Sequence, residues 1–129
     1  MALAYVTTLR NTRLDAITTA IGASGLLRVY SGTQPATGGT ETTLLCELAL
    51  SATSAPAAAG GVLTFSAISD DASADASGTP TWARLCTSAG AAVVDMTAGV
   101  GSGDLNFNAA IVIAGTVSVT SLVITDGTP

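Results

Sequence analysis

The residues of this chain that could do chemistry are few in kind. Its 129 residues include no histidine, no lysine, four arginines, nine carboxylates and two cysteines. Histidine is the usual general base at neutral pH, and a Schiff base or a Ser–Lys pair requires lysine. A nucleophilic role for Cys46 or Cys86 would need a base that the chain does not supply. We therefore predict that the protein is not an enzyme.

Two loops have compositions that ligand-binding loops share. The acidic stretch 70–75 offers carboxylate oxygens, which Ca²⁺ prefers, but its spacing does not match an EF-hand loop. The stretch 99–103, Gly-Val-Gly-Ser-Gly, precedes a strand rather than a helix and has no lysine, so it lacks the parts of a P-loop. We interpret the first as a solvated turn and the second as a hairpin loop, and we predict no metal and no cofactor.

Arg84 and Asp95 lie in two predicted strands that flank Ala89-Gly90. If these two residues form a two-residue hairpin loop, Arg84 faces Asp95 beside Trp82 and fixes the register as a cross-strand ion pair. If the loop has three residues, with Gly90 in the left-handed conformation, the register shifts by one and the pair is lost. The interpretation of the pair is structural. Arg28 and Arg84 both sit within strands, where each needs a carboxylate or a carbonyl partner.

The charges are distributed unevenly along the chain. Residues 1–28 carry three arginines and one aspartate, whereas the remainder carries one arginine and eight acids. The net charge of −5 opposes nucleic-acid binding, which leaves a basic stripe. Arg10 and Arg13, with Tyr5 in the same segment, are candidates for contact with an acidic partner. The alternative for this segment is a solvated helix face.

The first fifteen residues contain no long apolar run and no cleavage-site pattern. We therefore expect neither a secretory signal nor a membrane span. Without an export signal, Cys46 and Cys86 are expected as reduced, half-buried thiols rather than as a disulfide.

One helix is predicted near the N-terminus, over about residues 12–22, with Asn11 or Thr12 as its cap. It follows a short strand or extended arm at residues 2–8. Three apolar residues with helical spacing share one face of this helix: Leu14, Ile17 and Ile21. We expect residues 1–25 to form the arm and helix, and residues 26–129 to form a single β-sandwich domain.

After residue 25 the apolar residues alternate with a period of two, which indicates strands. Alternation is clearest over 104–113, where the expected inward residues are Leu105, Phe107, Ala109, Ile111 and Ile113. Over 116–125 the parity changes, which predicts a bulge or a strand buried on both faces. The seven or eight predicted strands cover about 26–30, 43–51, 61–69, 81–87, 92–97, 104–113 and 116–125. Their number and short turns favour an all-β, antiparallel, jelly-roll-like sandwich.

Four segments resemble those of small virion proteins of tailed bacteriophages, most of all capsid decoration (cement) proteins. They are LLRVYSGTQP at 26–35, GVLTF at 61–65, GTPTWARL at 78–85 and DLNF at 104–107. The resemblance extends from residue 10 to about residue 125, on patterns of strands and turns rather than on a catalytic signature. It implies a jelly-roll-like subunit, made in the host cytoplasm, that forms a homotrimer on the capsid exterior. There it would bind the major capsid protein at three-fold or quasi-three-fold positions, with no nucleic acid or membrane as partner.

Two other functions stay open at the level of the sequence. Chains of this kind also occur among neck and tail components of the virion. A glycan-binding host-attachment module is the alternative from another class, since jelly rolls also serve lectins. Sugar sites favour exposed aromatic side chains, and this chain has only five aromatic residues: Tyr5, Tyr30, Phe65, Trp82 and Phe107.

Overall fold

One helix and seven strands form within residues 3–126, the part of the chain that the computed structural model describes. The fold is mostly β, with one short helix, as the periodicity predicts. The helix is α1 (Thr7–Ile21), and the strands are β1 (Leu26–Ser31), β2 (Thr43–Ala49), β3 (Val62–Thr64), β4 (Trp82–Cys86), β5 (Ala92–Val100), β6 (Leu105–Phe107) and β7 (Val123–Thr125).

Helix α1 begins five residues earlier than predicted and includes the last two residues of the strand or arm expected at 2–8, whereas residues 3–6 form neither a helix nor a strand. Val6, in extended conformation, precedes its first turn, and no side chain caps it. Asn11 is not the cap, because its Oδ1 accepts a hydrogen bond from the backbone N–H of Gly61 at 2.8 Å. The predicted apolar face is correct: Leu14 and Ile21 are buried in the hydrophobic core, and Ile17 packs against it.

The strands form a curled, five-stranded mixed sheet in the order β2-β1-β4-β5-β6, and a separate two-stranded sheet, β3-β7. All pairs are antiparallel except β5 with β6, which run parallel. The arrangement is not a clear antiparallel sandwich or jelly roll. The expectation of a wholly antiparallel fold is therefore wrong at β6. The stretch 99–103, predicted as a hairpin loop, instead contains the end of β5 and most of the connection to β6. This connection carries the chain back beside Ala98, from where β6 runs in the same direction as β5.

Three predicted strands are shorter than their sequence alternation indicates. Backbone hydrogen bonds leave the ladders soon after they start: Ser66 N–H donates to Ser54 and Ser69 N–H to Ala49, so β3 spans three residues. Over 104–113, Leu105, Phe107 and Ile111 are buried as predicted, whereas Ala109 and Ile113 are exposed. The parity change in 116–125 falls in the irregular stretch 118–121 before β7. Alternation therefore predicts which residues are buried better than it predicts strand pairing.

The two faces of the five-stranded sheet differ. One face belongs to the hydrophobic core, to which α1, β3 and the segment 105–122 also contribute. Its residues from the sheet include Leu27, Val29, Leu48, Leu85 and Met96. The opposite face carries polar and aromatic side chains beneath the loop 32–42, described below.

Gly103 is the residue on which the parallel return of β6 depends most. Its φ is +85°, and a Cβ built on it would lie 2.8 Å from the carbonyl carbon of Ala98. Gly101 has a similar φ of +76° but open space around it. We expect Gly103→Ala to lower the free energy of unfolding by about 2–4 kcal/mol, from backbone strain plus a clash.

Gly101→Ala is the matched control for that prediction, because it shares the strained φ without the clash. Its expected cost is about 1 kcal/mol. Urea denaturation of both variants measures the difference. Equal costs would show that the approach of residue 103 to β5 is not what requires glycine.

Candidate functional site

The β4–β5 hairpin contains the predicted pair of Arg84 and Asp95, and its register combines both sequence-based alternatives. Near the turn the loop has three residues, and Gly90 has a φ of +87°. This places Cys86 opposite Ala92. A bulge between Leu85 and Cys86 then shifts the register by one, so that Arg84 lies opposite Asp95. The bulge therefore restores the pair that a three-residue loop alone would lose.

Arg84 and Asp95 belong to a row of four charged residues across four strands, Glu47–Arg28–Arg84–Asp95. We call it the charged row. Arg84 donates two hydrogen bonds to Asp95, from Nε at 2.7 Å and from Nη2 at 3.1 Å. Arg28 Nε donates to Glu47 at 2.8 Å. The two arginines that sequence reasoning placed within strands thus each meet a carboxylate. In β2 the alternation of apolar and polar residues places Glu47 and Leu48 on different faces of the strand. This alternation is the sequence signal that could have identified Glu47 as a member of the charged row.

The loop 32–42 covers the charged row and is held by it. Asp95 Oδ2 accepts from Gly38 N–H at 2.9 Å, and Arg84 Nη2 donates to the Gly39 carbonyl at 2.9 Å. The carboxylate of Glu41 lies 3.2 Å from one guanidinium nitrogen of Arg28 and 3.7 Å from one of Arg84. Loop 32–42 is therefore attached to the sheet through both members of the Arg84–Asp95 ion pair.

Two stacked aromatic rings lie beside the charged row. Tyr30 and Trp82 are fully buried, with ring centroids 4.2 Å apart and planes 14° from parallel. Trp82 Nε1 donates to Thr42 Oγ1 at 2.8 Å, and the Arg84 guanidinium lies 5.0 Å from the Trp82 ring. Loop 32–42 thus covers a small buried aromatic cluster, Tyr30 and Trp82, on the face of the sheet that carries the charged row.

Hydrogen bonds within the charged row favour the ionised forms of Arg28, Arg84 and Asp95. The hydrogen bond from Arg84 lowers the pKa of Asp95, and the hydrogen bond to Asp95 raises the pKa of Arg84. The hydrogen bond to Glu47 likewise raises the pKa of Arg28. The Asp95 side chain is fully buried and that of Arg84 is 4% exposed. Because these groups have partners within the chain, the row is a structural element rather than a ligand site.

The predicted partner-binding residues Tyr5, Arg10 and Arg13 lie where α1 meets Asp126. Arg10 Nη1 donates to the Asp126 carbonyl at 3.0 Å, and its guanidinium lies against Gly61. Arg13 Nε lies 3.2 Å from Asp126 Oδ2, and its guanidinium is 4.9 Å from the Tyr5 ring centroid. The Arg13 side chain remains 50% exposed. Arg10 thus holds α1 to the rest of the chain, whereas Arg13 and Tyr5 remain partly exposed.

The acidic stretch 70–75 is tied to the edge of β2. Asp71 accepts hydrogen bonds from the backbone N–H groups of Glu47 at 3.0 Å and Ser73 at 3.0 Å. Asp75 N–H donates to the Leu45 carbonyl at 2.8 Å. These bonds occupy backbone groups on the outer edge of the sheet, which an unpaired strand would leave open. Within residues 3–126, no three metal-ligating side chains come together in a group that could hold an ion.

Cys46 and Cys86 are both buried and free. Cys46 pairs with Val29 on the core face, whereas Cys86 pairs with Leu26 on the face of the charged row. A disulfide between them would have to pass through the sheet, so the fold keeps both as thiols. Burial, with the negative charges of Asp71 and Asp75, raises the pKa of Cys46 to about 12.

Stability should therefore fall as the pH rises above about 9. The unfolded Cys46 thiol ionises near its ordinary pKa of about 8.5, whereas the folded thiol keeps its proton until about pH 12. The folded state then binds more protons, and the free energy of unfolding decreases by up to about 1.4 kcal/mol per pH unit. Urea midpoints between pH 8 and the alkaline limit, measured with a reductant, test this. Cys46→Ala should lower stability at every pH and flatten this slope; an unchanged slope would contradict the assignment.

The segment between Asp104 and Asp126 contains no charged residue. It lines two adjoining grooves of about 330 and about 220 Å³, which share Phe107, Asn108 and Ser118. Beside them Val112 and Ile113 occupy the turn 112–115, with side chains 65% and 59% exposed. We call residues 105–121 the uncharged surface. Sequence reasoning missed it, because the alternation indicated an inward Ile113; the unbroken absence of charge was the available signal.

The described residues thus define a β-rich protein whose strand-borne charges are paired internally and whose uncharged surface is open. No protein-family model, curated protein or solved structure matches the chain. No helix within residues 3–126 has the length and apolar character needed to cross a bilayer.

Proposed function

We propose that this chain is a capsid decoration (cement) protein of a tailed bacteriophage. It binds the outside of the major capsid protein shell as a homotrimer and stabilises the head. The observation that carries the proposal is the contrast between internally paired charges and an open uncharged surface. Interface cores are depleted in charge, so such a surface suits assembly. The resemblance of four sequence segments to decoration proteins supplies the kind of assembly.

A jelly-roll-like subunit is the finer part of this proposal. The core is shared between the five-stranded sheet on one side and α1, β3 and the segment 105–122 on the other. Two such layers around one core are what a sandwich-like subunit needs. The short β3–β7 ladder would then be the second sheet in reduced form.

Stabilisation would follow from mass action. A protein that binds only the expanded shell lowers the free energy of that state by RT ln(1 + [L]/Kd). A trimer that contacts several capsomers at once adds avidity without new kinds of contact. Arg13 and Tyr5, which keep surface beside α1, are the candidates for contact with an acidic site on the major capsid protein. The remaining acidic surface would keep the decorated particle soluble in the host cytoplasm.

The experiment compares phage heads with and without the protein. Purified protein is added to expanded heads that lack it, the bound copies per head are counted, and DNA release is followed on heating. We expect hundreds of copies per head and a higher release temperature. DNA retention that is equal with and without bound protein would show that the protein is not a cement. A few copies at one vertex would instead indicate a neck or tail component.

The burial of the aromatic residues weakens the glycan-binding alternative. Tyr30 and Trp82 are fully buried, and Phe65 and Phe107 are less than 10% exposed. Tyr5, the remaining aromatic residue, is half-buried against Arg13. A sugar would therefore find no broad aromatic platform on residues 3–126 to stack on.

A further inference from the structure

A second exposed apolar surface lies at the other end of the chain. Leu3, Val6 and Leu9 are 65%, 72% and 43% exposed, and residues 1–9 contain no charged side chain. We call residues 3–9 the N-terminal segment. Residues 3–126 therefore present two different exposed apolar regions that carry no charged side chain: the N-terminal segment and the uncharged surface.

A cyclic trimer requires two different surfaces on each copy. In a ring of three, one surface of each subunit contacts a different surface of the next, which is a heterologous interface. A two-fold contact would instead place the same surface against itself. The N-terminal segment and the uncharged surface together meet the requirement for a ring.

The backbone of the uncharged surface has room for an extended segment. Residues 108–110 and 118–121 make no backbone–backbone hydrogen bond to the rest of residues 3–126. Free N–H and C=O groups beside apolar grooves are the usual seat of an added strand. Residues 3–6 precede α1 and lie outside any helix or strand, so this part of the N-terminal segment can pair as an extended chain, whereas Leu9 lies in the first turn of the helix.

The distribution of charge indicates which segment binds the uncharged surface. Each copy carries a net charge of −5, so two copies repel wherever their acidic surfaces approach. Contact is least opposed where neither partner presents a charge, and both surfaces named above satisfy this. We infer that the N-terminal segment of one copy docks through Leu3, Val6 and Leu9 on the uncharged surface of a second copy, in a head-to-tail ring. Tyr5, whose ring lies against the Arg13 guanidinium, is left to the capsid contact. The inference deepens the homotrimer of the proposed function and rests on it only for the number of subunits.

The test uses purified full-length protein without capsids. Leu3→Asp/Val6→Asp disables the N-terminal segment, and Val112→Asp/Ile113→Asp disables the uncharged surface. All four side chains are well exposed, so both variants should keep the far-ultraviolet circular dichroism of the parent. Ser88→Asp/Ala89→Asp adds the same charge to another exposed turn and is the matched control. Sedimentation velocity gives the mass of each.

We expect trimers for the parent and the control, and monomers for the two disabled variants. The dissociation constant of each variant should rise at least about 30-fold, the size expected when hot-spot residues are lost. An equimolar mixture of the two variants retains one intact contact per pair and should form a one-to-one heterodimer. A mixture that stays monomeric, or a disabled variant that still forms trimers, would overturn the head-to-tail contact.

The outcomes separate this inference from the proposed function. A parent that is monomeric at its highest soluble concentration, yet decorates heads, overturns the inference and leaves the cement role standing. A parent trimer that falls apart in the two variants but does not bind heads supports the inference and contradicts the cement role.

Discussion

Replacing Arg84 by methionine should lower the free energy of unfolding by about 3–5 kcal/mol, the range for breaking a buried ion pair. The substitution leaves the fully buried Asp95 carboxylate without its bidentate partner. It also removes the donor to the Gly39 carbonyl and the contact of Arg84 with Glu41, so only the hydrogen bond from Gly38 N–H to Asp95 still joins loop 32–42 to the pair. Urea denaturation followed by far-ultraviolet circular dichroism measures the change.

Arg28→Met is the matched control, because Arg28 belongs to the same charged row but is more exposed. Its side chain is 22% exposed and that of Glu47 is 38% exposed, so solvent screens the pair. The expected cost is about 1 kcal/mol or less. Equal losses for the two variants would mean that burial of the Arg84–Asp95 pair does not set its importance.

The Arg84–Asp95 pair should also make the free energy of unfolding decrease in acid. Because Arg84 lowers the pKa of folded Asp95 below that of the unfolded chain, the unfolded state binds more protons below about pH 4. The associated stability is present above the unfolded pKa and is lost as the pH falls through the folded one. In Arg84→Met this part of the acid dependence should shrink, since the largest cause of the lowered pKa of Asp95 is gone and only the hydrogen bond from Gly38 N–H still opposes the effect of burial. An acid slope identical to that of the parent would exclude Asp95 as its source.

Trp82→Ala should have an effect of similar size, about 3–5 kcal/mol. The substitution removes a fully buried ring, its stack on Tyr30 and its hydrogen bond to Thr42. The cavity would lie directly beneath loop 32–42, so we also expect that loop to become susceptible to limited proteolysis. Thermal or urea unfolding gives the stability, and mass spectrometry of the fragments locates the cleavage.

Trp82→Phe distinguishes the ring from its polar group. Phenylalanine keeps most of the stacking surface but cannot donate to Thr42, so its expected cost is nearer to about 1–2 kcal/mol. Cleavage within 32–42 that is as fast in Trp82→Phe as in Trp82→Ala would assign the closure of the loop to the hydrogen bond alone.

The hairpin register shows how far sequence reasoning extends. Two loop lengths were open, and each predicted a different partner for Arg84. The structure contains the three-residue loop and still pairs Arg84 with Asp95, because a bulge after Leu85 restores the register. The bulge could not be predicted from the hairpin alone, since the side chains of β4 also have to match Arg28 and Leu26 on β1.

The N-terminal residues show both what local sequence predicts and what it does not. The apolar face of α1 was predictable, because Leu14, Ile17 and Ile21 recur with the helical period. The function assigned to Arg10 was harder to predict, since its guanidinium lies against Gly61 and the carbonyl of Asp126, residues far away in sequence. The local sequence around a charged side chain does not show whether a backbone group far away in the chain forms a hydrogen bond with it.

The sequence by itself determined the β-rich class, the N-terminal helix, most of the buried residues and the absence of histidine and lysine. These depend on residue type and on local periodicity, which the chain displays without folding. Only the tertiary structure decided that β6 runs parallel to β5, that loop 32–42 closes over the charged row, and that residues 105–121 are left as an open uncharged surface. Each of these depends on which distant segments supply hydrogen-bond partners, and alternation within one segment carries no record of its partner.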